Sequence, residues 1–108
     1  MGEDGHTGSL FPGTSALLEN EALFVPNFSV ADDMERITAT LLLINSARQI
    51  VVIVTGDIKA EAVRNALYPL PNAGALPASL VNPTNGTLTW MLDADAATLL
   101  QHANFNTD

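Results

Sequence analysis

The sequence contains no cysteine, which excludes disulfides and thiolate nucleophiles and is compatible with a reducing cytoplasm. Cations are almost as scarce. Arg36, Arg48, Lys59 and Arg64 stand against 12 Asp and Glu, for a formal net charge of −8 over 108 residues. Nucleic acid is therefore a poor partner, because phosphate backbones are gripped by clustered Lys and Arg. Any site for an anion must draw on these four side chains or on backbone N–H groups. The two histidines, His6 and His102, are too far apart in sequence to indicate a zinc site. Long apolar runs are also missing. Leu41–Ile44 and Ile50–Val54 are the longest and fall far short of a membrane span. The first ten residues are polar and acidic, unlike a signal peptide. Internal repeats and low-complexity tracts are absent.

What remains is enough to fold. Hydrophobic residues make up 47% of the sequence and charged residues 15%, a balance that supports a core and one domain or part of one. Residues 1–13 read as a glycine-rich loop entering a short helix, with Ser9 as its cap and Leu10 and Phe11 facing inward. Residues 14–21 read as irregular or short helical. Ala22–Val25, ahead of Pro26, reads as a short strand, residues 27–35 as a polar connector and Ile37–Thr40 as extended. A two-turn helix over Leu41–Arg48 follows. Ile50–Val54, five β-branched residues in a row, predicts a strand buried on both faces.

Thr55-Gly56-Asp57 then turns the chain. Asp57 is placed to cap a helix over 58–68, which Pro69 and Pro71 end. A helical turn at 78–81, a strand over Thr87–Leu92 and a last helix capped by Asp93 and running to about His102 complete the pattern. Strand, helix, loop, strand, helix over 50–102 implies a βαβ unit with a right-handed crossover and predicts an α/β fold. Ligands collect beyond the carboxyl ends of such strands, where Lys59 lies. By position alone Lys59 is either a phosphate contact or a surface lysine on a solvated helix face. Asp4-Gly5-His6-Thr7 is equally open: it is a catalytic loop or a helix-entry turn whose glycine serves backbone geometry. Trp90 and Phe11 read as core. His102 and the acids Glu19, Glu21, Asp32, Asp33 and Glu35 read as solvated.

Five landmarks in order carry a resemblance. Gly2-Glu3-Asp4-Gly5-His6-Thr7-Gly8-Ser9-Leu10-Phe11-Pro12-Gly13 is similar to the signature of 6-phosphogluconolactonases. Arg36-Ile37-Thr38 with Leu43-Ile44-Asn45-Ser46-Ala47, then Val54-Thr55-Gly56-Asp57-Ile58-Lys59-Ala60, Leu76-Pro77-Ala78-Ser79-Leu80-Val81 and Trp90-Met91-Leu92-Asp93 resemble that family's later landmarks. The related glucosamine-6-phosphate deaminases and isomerases share Asp-Gly-His but continue with Ile-Ala-Phe-Asn-Glu-Pro. Here Thr7-Gly8-Ser9-Leu10-Phe11-Pro12 follows, which favours the lactonase branch.

The resemblance implies the C-terminal part of a Rossmann-like, mostly parallel sheet with flanking helices. Residues 1–108 would form the C-terminal portion of a single domain. Met1 stands where the family has an internal Met, so the N-terminal half, with its early strands and glycine-rich sugar-phosphate loop, is expected to be missing. The implied activity is hydrolysis of 6-phospho-D-glucono-1,5-lactone to 6-phosphogluconate in the cytoplasm, in the oxidative pentose phosphate pathway, without metal or organic cofactor. His6 would be the general base, an imidazole being suited to neutral pH, and Asp4 would orient it. Lys59 would hold the phosphate, with Arg36 as a second contact. Gly5, Thr7 and Ser9 would bind substrate, backbone N–H groups of residues 5–9 stabilising the oxyanion. The other readings are a non-catalytic sugar-phosphate-binding or interaction fragment and a deaminase or isomerase relative. A chain without its N-terminal half is expected to expose sheet edge and apolar surface, and to pair with the missing half or with itself.

Overall fold

The computed structural model describes residues 1–72 and 74–102, the last two as backbone only. The side chain of His102 therefore lies outside the described residues. Two small sheets form the frame. Strand β1 (Phe24–Ser29) pairs antiparallel with β2 (Met34–Ala39), and β3 (Gln49–Val54) pairs parallel with β4 (Thr87–Leu92). A one-turn helix α1 (Leu41–Ile44) joins the sheets, and helix α2 (Ala60–Leu67) lies on the β3-to-β4 connection. Short 3₁₀ turns occupy Ser15–Leu18, Asp57–Lys59, Pro77–Leu80 and Thr98–His102.

The parallel pair with its crossover helix is the α/β unit expected from the sequence. The antiparallel hairpin is an addition: residues 27–35 are not a polar connector but the end of β1, a turn and the start of β2. Pro26 sits inside β1, opposite Ile37. A proline is tolerated there because β1 has one neighbouring strand, leaving the edge without a ladder for its missing N–H to break. The turn closes with Asp33 at φ 51°, a left-handed geometry that Asp and Asn adopt more readily than most residues.

Other departures have local causes. The helix after Thr40 makes one turn instead of two, because residues 46 and 47 donate three residues back, to Leu43 and Ile44. Asn45 then turns to other work. Its Oδ1 accepts the Asn82 N–H at 2.7 Å and its Nδ2 donates to the Leu80 carbonyl at 3.2 Å, fastening α1 to the run that leads into β4. Helix α2 starts at Ala60 because Asp57–Lys59 wind more tightly, and Asp57 makes no capping bond. The last helix expected after Asp93 is instead a turn over 94–97 followed by the 3₁₀ turn at Thr98–His102. Asp93 holds its start, Oδ1 accepting the Ala96 N–H at 2.8 Å, and the carboxylate also takes the Gly56 N–H, tying the turn after β3 to the end of β4. Glu19 is likewise more than solvated, since its Oε2 accepts the N–H groups of Glu21 and Ala22.

The core lies on one face of the parallel pair. Val54, Val63, Ala96 and Leu100 are buried together, with Met1, Val52, Leu67, Trp90 and Leu92 packed around them. Strand residues alternate faces, so Val52 and Val54 reach this core while Val51, Ile53 and Met91 point the other way. These three are 49%, 64% and 55% exposed. The expectation that β3 is buried on both faces therefore fails in this chain: α2 and the last turn cover one face, and among the described residues nothing covers the other. Phe24, Phe28, Met34 and Ile37 of the hairpin are also exposed. No helix among the described residues is long and apolar enough to cross a membrane.

Leu10 is completely buried whereas Leu18 is 83% exposed. Leu10→Ala is expected to cost roughly 2–5 kcal/mol, the range for emptying a closed leucine site, and Leu18→Ala a few tenths at most. Urea unfolding of both variants checks this, and equal effects would show that Leu10 is not a core anchor.

Candidate active site

The loop of residues 1–13 is held in shape by its own backbone. Gly2 N–H donates to the His6 carbonyl at 2.9 Å and Gly5 N–H to the Gly2 carbonyl at 3.0 Å. Gly5 has φ +85° and is buried, with no room for a side chain: a Cβ there would lie 2.8 Å from Leu76. The chain needs glycine at this turn on both counts. Thr7 and Leu10 form an isolated antiparallel bridge.

Three longer-range bonds fasten the loop to the frame. Ala78 N–H donates to the Gly5 carbonyl at 2.9 Å. Ser9 N–H donates to Thr38 Oγ1 at 3.0 Å, and Asn27 Nδ2 donates to the Ser9 carbonyl at 2.7 Å. Ser9 is thus a joint between loop and hairpin, not the helix cap expected from the sequence.

This turn brings Asp4 and His6 together. Asp4 Oδ1 accepts the His6 backbone N–H at 3.0 Å and lies 2.5 Å from His6 Nδ1. Partial burial acts to raise the Asp4 pKa, but the backbone and ring donors of His6 outweigh it and hold the carboxyl below its ordinary 3.8. With an ionised Asp4 accepting at Nδ1, the proton of a neutral imidazole sits on Nδ1 and the lone pair on Nε2.

An open hollow of about 460 Å³ is lined by Gly2, Glu3, Asp4, His6, Phe11, Ala31 and Lys59. Lys59 enters from the 3₁₀ turn beyond the carboxyl end of β3. It also lies close to the Met1 amino group, whose pKa is lowered first by burial and then by the Lys59 charge. A second hollow of about 450 Å³ adjoins through Asp4, Phe11 and Ala31 and is walled by Pro12, Thr14, Phe28 and Val30. Among the described residues no three His, Asp or Glu side chains converge on a metal position.

Of the residues singled out in the sequence, His6, Asp4 and Lys59 share one hollow. Arg36 does not line it: it stands on β2, ion-paired with Asp32 at the hairpin end. That pair, with a Ser29 side-chain bond after it, holds the Asp32 carboxyl below its ordinary value. Gly5, Thr7 and Ser9 are backbone joints. The amides of Gly5, His6 and Ser9 are already donated to Gly2, Asp4 and Thr38, so they are not open to an oxyanion in this conformation. Sequence reasoning missed Phe11, Glu3 and Gly2 as lining residues. Phe11, taken as core, is half-buried and faces His6, and no spacing in the sequence signals that contact.

Residues 1–90 match the family described as glucosamine-6-phosphate isomerases/6-phosphogluconolactonase. Probable 6-phosphogluconolactonase 1 of Arabidopsis thaliana is 43% identical over 98% of this chain and 41% of its own length. The 6-phosphogluconolactonase of Homo sapiens is 41% identical over 93% of this chain and 39% of its own. Among solved structures, the devB protein superposes with a TM-score of 0.81 at 33% identity, covering 92% of this chain and 41% of that one. The Trypanosoma brucei 6-phosphogluconolactonase gives 0.80 at 29% identity, covering 93% and 40%. The chain belongs to the glucosamine-6-phosphate isomerase/6-phosphogluconolactonase family, and it spans about two fifths of the length of these relatives.

The depressed Asp4 pKa has a pH consequence. A carboxyl lowered in the folded state stabilises that state above its unfolded value, and the contribution is lost as pH falls through the lower folded value. Melting temperatures of the chain and of Asp4→Asn, followed from neutral pH to about pH 2, are expected to differ near neutrality and converge only below the ordinary carboxylate range. A constant difference would show that the Asp4 charge does not hold the turn.

Proposed function

We propose that this chain carries the His6–Asp4–Lys59 site of a 6-phosphogluconolactonase and hydrolyses 6-phospho-D-glucono-1,5-lactone to 6-phosphogluconate. The observation behind this reading is the shared hollow: an imidazole bonded to a carboxylate at 2.5 Å, with a lysine lining the same space. Residues 1–108 would be the C-terminal portion of one family domain, acting in the cytoplasm, with which a cysteine-free sequence is compatible.

In this mechanism the Lys59 ammonium holds the phosphate dianion. Water attacks the lactone carbonyl while His6 Nε2 takes one of its protons, and Asp4 steadies the resulting imidazolium through Nδ1. The tetrahedral intermediate collapses with cleavage of the ring C–O bond. The imidazolium returns its proton to the departing ring oxygen, leaving a carboxylic acid that ionises and a free hydroxyl. Arg36 would join the phosphate only by leaving Asp32.

Partner needs follow from the exposed side of the parallel pair. Val51, Ile53 and Met91 form an apolar patch beside open strand edges, and the relatives are some two and a half times longer. The occupant we infer is the remainder of the family domain; a second copy of the chain is the other outcome. Light scattering after size exclusion separates the two, and a monodisperse, cooperatively melting monomer would contradict both.

The decisive assay is lactone hydrolysis above the spontaneous rate, by the chain alone and mixed with the unmatched part of the human relative. His6→Ala is expected to lower kcat by about 10²–10⁴-fold, and Lys59→Ala to raise KM by about tenfold or more. Hydrolysis at the buffer rate both alone and in the mixture would remove the lactonase reading.

A further inference from the structure

We propose that Phe11 is a positioning residue: with Gly2, it fixes the ring orientation of His6 and so keeps the imidazole proton on Nδ1 and the lone pair of Nε2 free. The inference deepens the lactonase reading, but its core claim concerns only the imidazole and stands without turnover.

The Asp4–His6 bond does not explain by itself why the ring stays in place. The His6 and Asp4 side chains are 34% and 51% exposed, and an ion pair or hydrogen bond this open to water is a weak restraint. Turning the imidazole over about its Cβ–Cγ bond would put a carbon where Nδ1 now meets Asp4. Something else must limit that motion.

Two neighbours do so. The Phe11 ring lies with its centroid 4.9 Å from that of His6 and its plane tilted by 51°, inside the range of favourable tilted aromatic pairs. Phe11 is itself well aimed, because the preceding residue, Leu10, is fully buried and bridged to Thr7, and the Phe11 carbonyl takes the Thr14 hydroxyl at 2.7 Å. The second neighbour is the backbone at Gly2. A Cβ there would come within 2.1 Å of His6 Cε1, 2.3 Å of Nδ1 and 2.9 Å of Nε2, so the ring occupies the space that a Gly2 side chain would need. Carboxylate, aromatic ring and bare backbone thus flank the imidazole on three sides. The other charged groups on this hollow are Glu3 and Lys59; neither has a bond to the His6 ring among the described residues. Phe11 acts on the reaction only through His6; on its other side it lines the second hollow with Phe28 and Val30.

The test reads the imidazole directly. Long-range ¹H–¹⁵N spectra of the ¹⁵N-labelled chain, at a pH where His6 is neutral, distinguish Nδ1–H from Nε2–H. His102→Gln assigns the second histidine. The chain is expected to show mostly Nδ1–H. Phe11→Leu, which keeps apolar bulk but removes the ring, is expected to move the tautomer ratio several-fold towards Nε2–H, and Phe11→Tyr to restore it. Gly2→Ala is expected to shift it likewise by displacing the ring. Amide shifts of Ser9 and Ala78 report whether the loop stays folded, and if Phe11→Leu loosens it, Phe11→Met takes its place. A ratio unchanged within about twofold in the folded ring-less variant overturns the proposal, as does an equal shift in Phe11→Tyr. In active protein, Phe11→Leu is expected to lower kcat with little change in KM. Loss of the lactonase reading would appear as absent turnover with the tautomer effect intact, so the two failures are distinct.

Discussion

A loop with almost no regular structure holds Asp4 and His6 together, and what makes that workable is the burial of Leu10. With its side chain closed off from water and Thr7 bridged to it, the segment between them cannot wander. The Gly5 carbonyl then meets Ala78, and Ser9 meets Thr38 and Asn27. These bonds reach the 3₁₀ turn before β4 on one side and the hairpin on the other. A loop tied at both flanks can present Asp4 and His6 in a fixed relation, as a loop tied at one end could not. The polar residues of the hairpin serve the same end. Thr38 and Asn27 are buried, and their partners in the loop satisfy what burial would otherwise penalise.

The electrostatic character of the site follows from how little cationic charge the chain has. Arg36 is committed to Asp32 at the hairpin, whereas Lys59 reaches the hollow from the turn after β3. That turn is held by Gly56 donating to Asp93, so the position of the lysine depends on the end of β4 as well as on β3. A parallel pair places the carboxyl ends of both strands at one rim, and the chain uses both ends to set one side chain. Glu3 and Asp4 share the same hollow, which leaves the lysine among acids.

Much of this was legible in the residues. The β-branched run at 50–54, the strand at 87–92 and the helix between them announced the parallel unit, because period and composition there speak for a single state. The Asp4–His6 pair and Lys59 were legible from spacing and resemblance together. The hairpin was not. Pro26 argued for an end to the strand, and only the open edge of β1 explains why the strand continues. The role of Ser9 was hidden for a similar reason: a serine near a helix start looks like a cap until its long-range partner is known. Phe11 looked like core because an aromatic next to a buried leucine usually is, and its facing of His6 depends on a turn that no periodicity encodes. Burial of β3 on both faces failed because pattern describes the environment a strand is suited to, while exposure depends on what else is present to cover it.

The order of strands along the chain bears on how the site comes into being. The hairpin joins neighbouring segments, and such local pairs close within microseconds. The β3–β4 pair spans α2 and the long connection that follows it, so its loop-closure entropy is greater and it forms later. The loop of residues 1–13 is fastened to the hairpin at Ser9 but to the run before β4 at Gly5. Its second anchor therefore arrives with the slower event. The loop that carries Asp4 and His6 is seated in the molecule only when both sheets are in place.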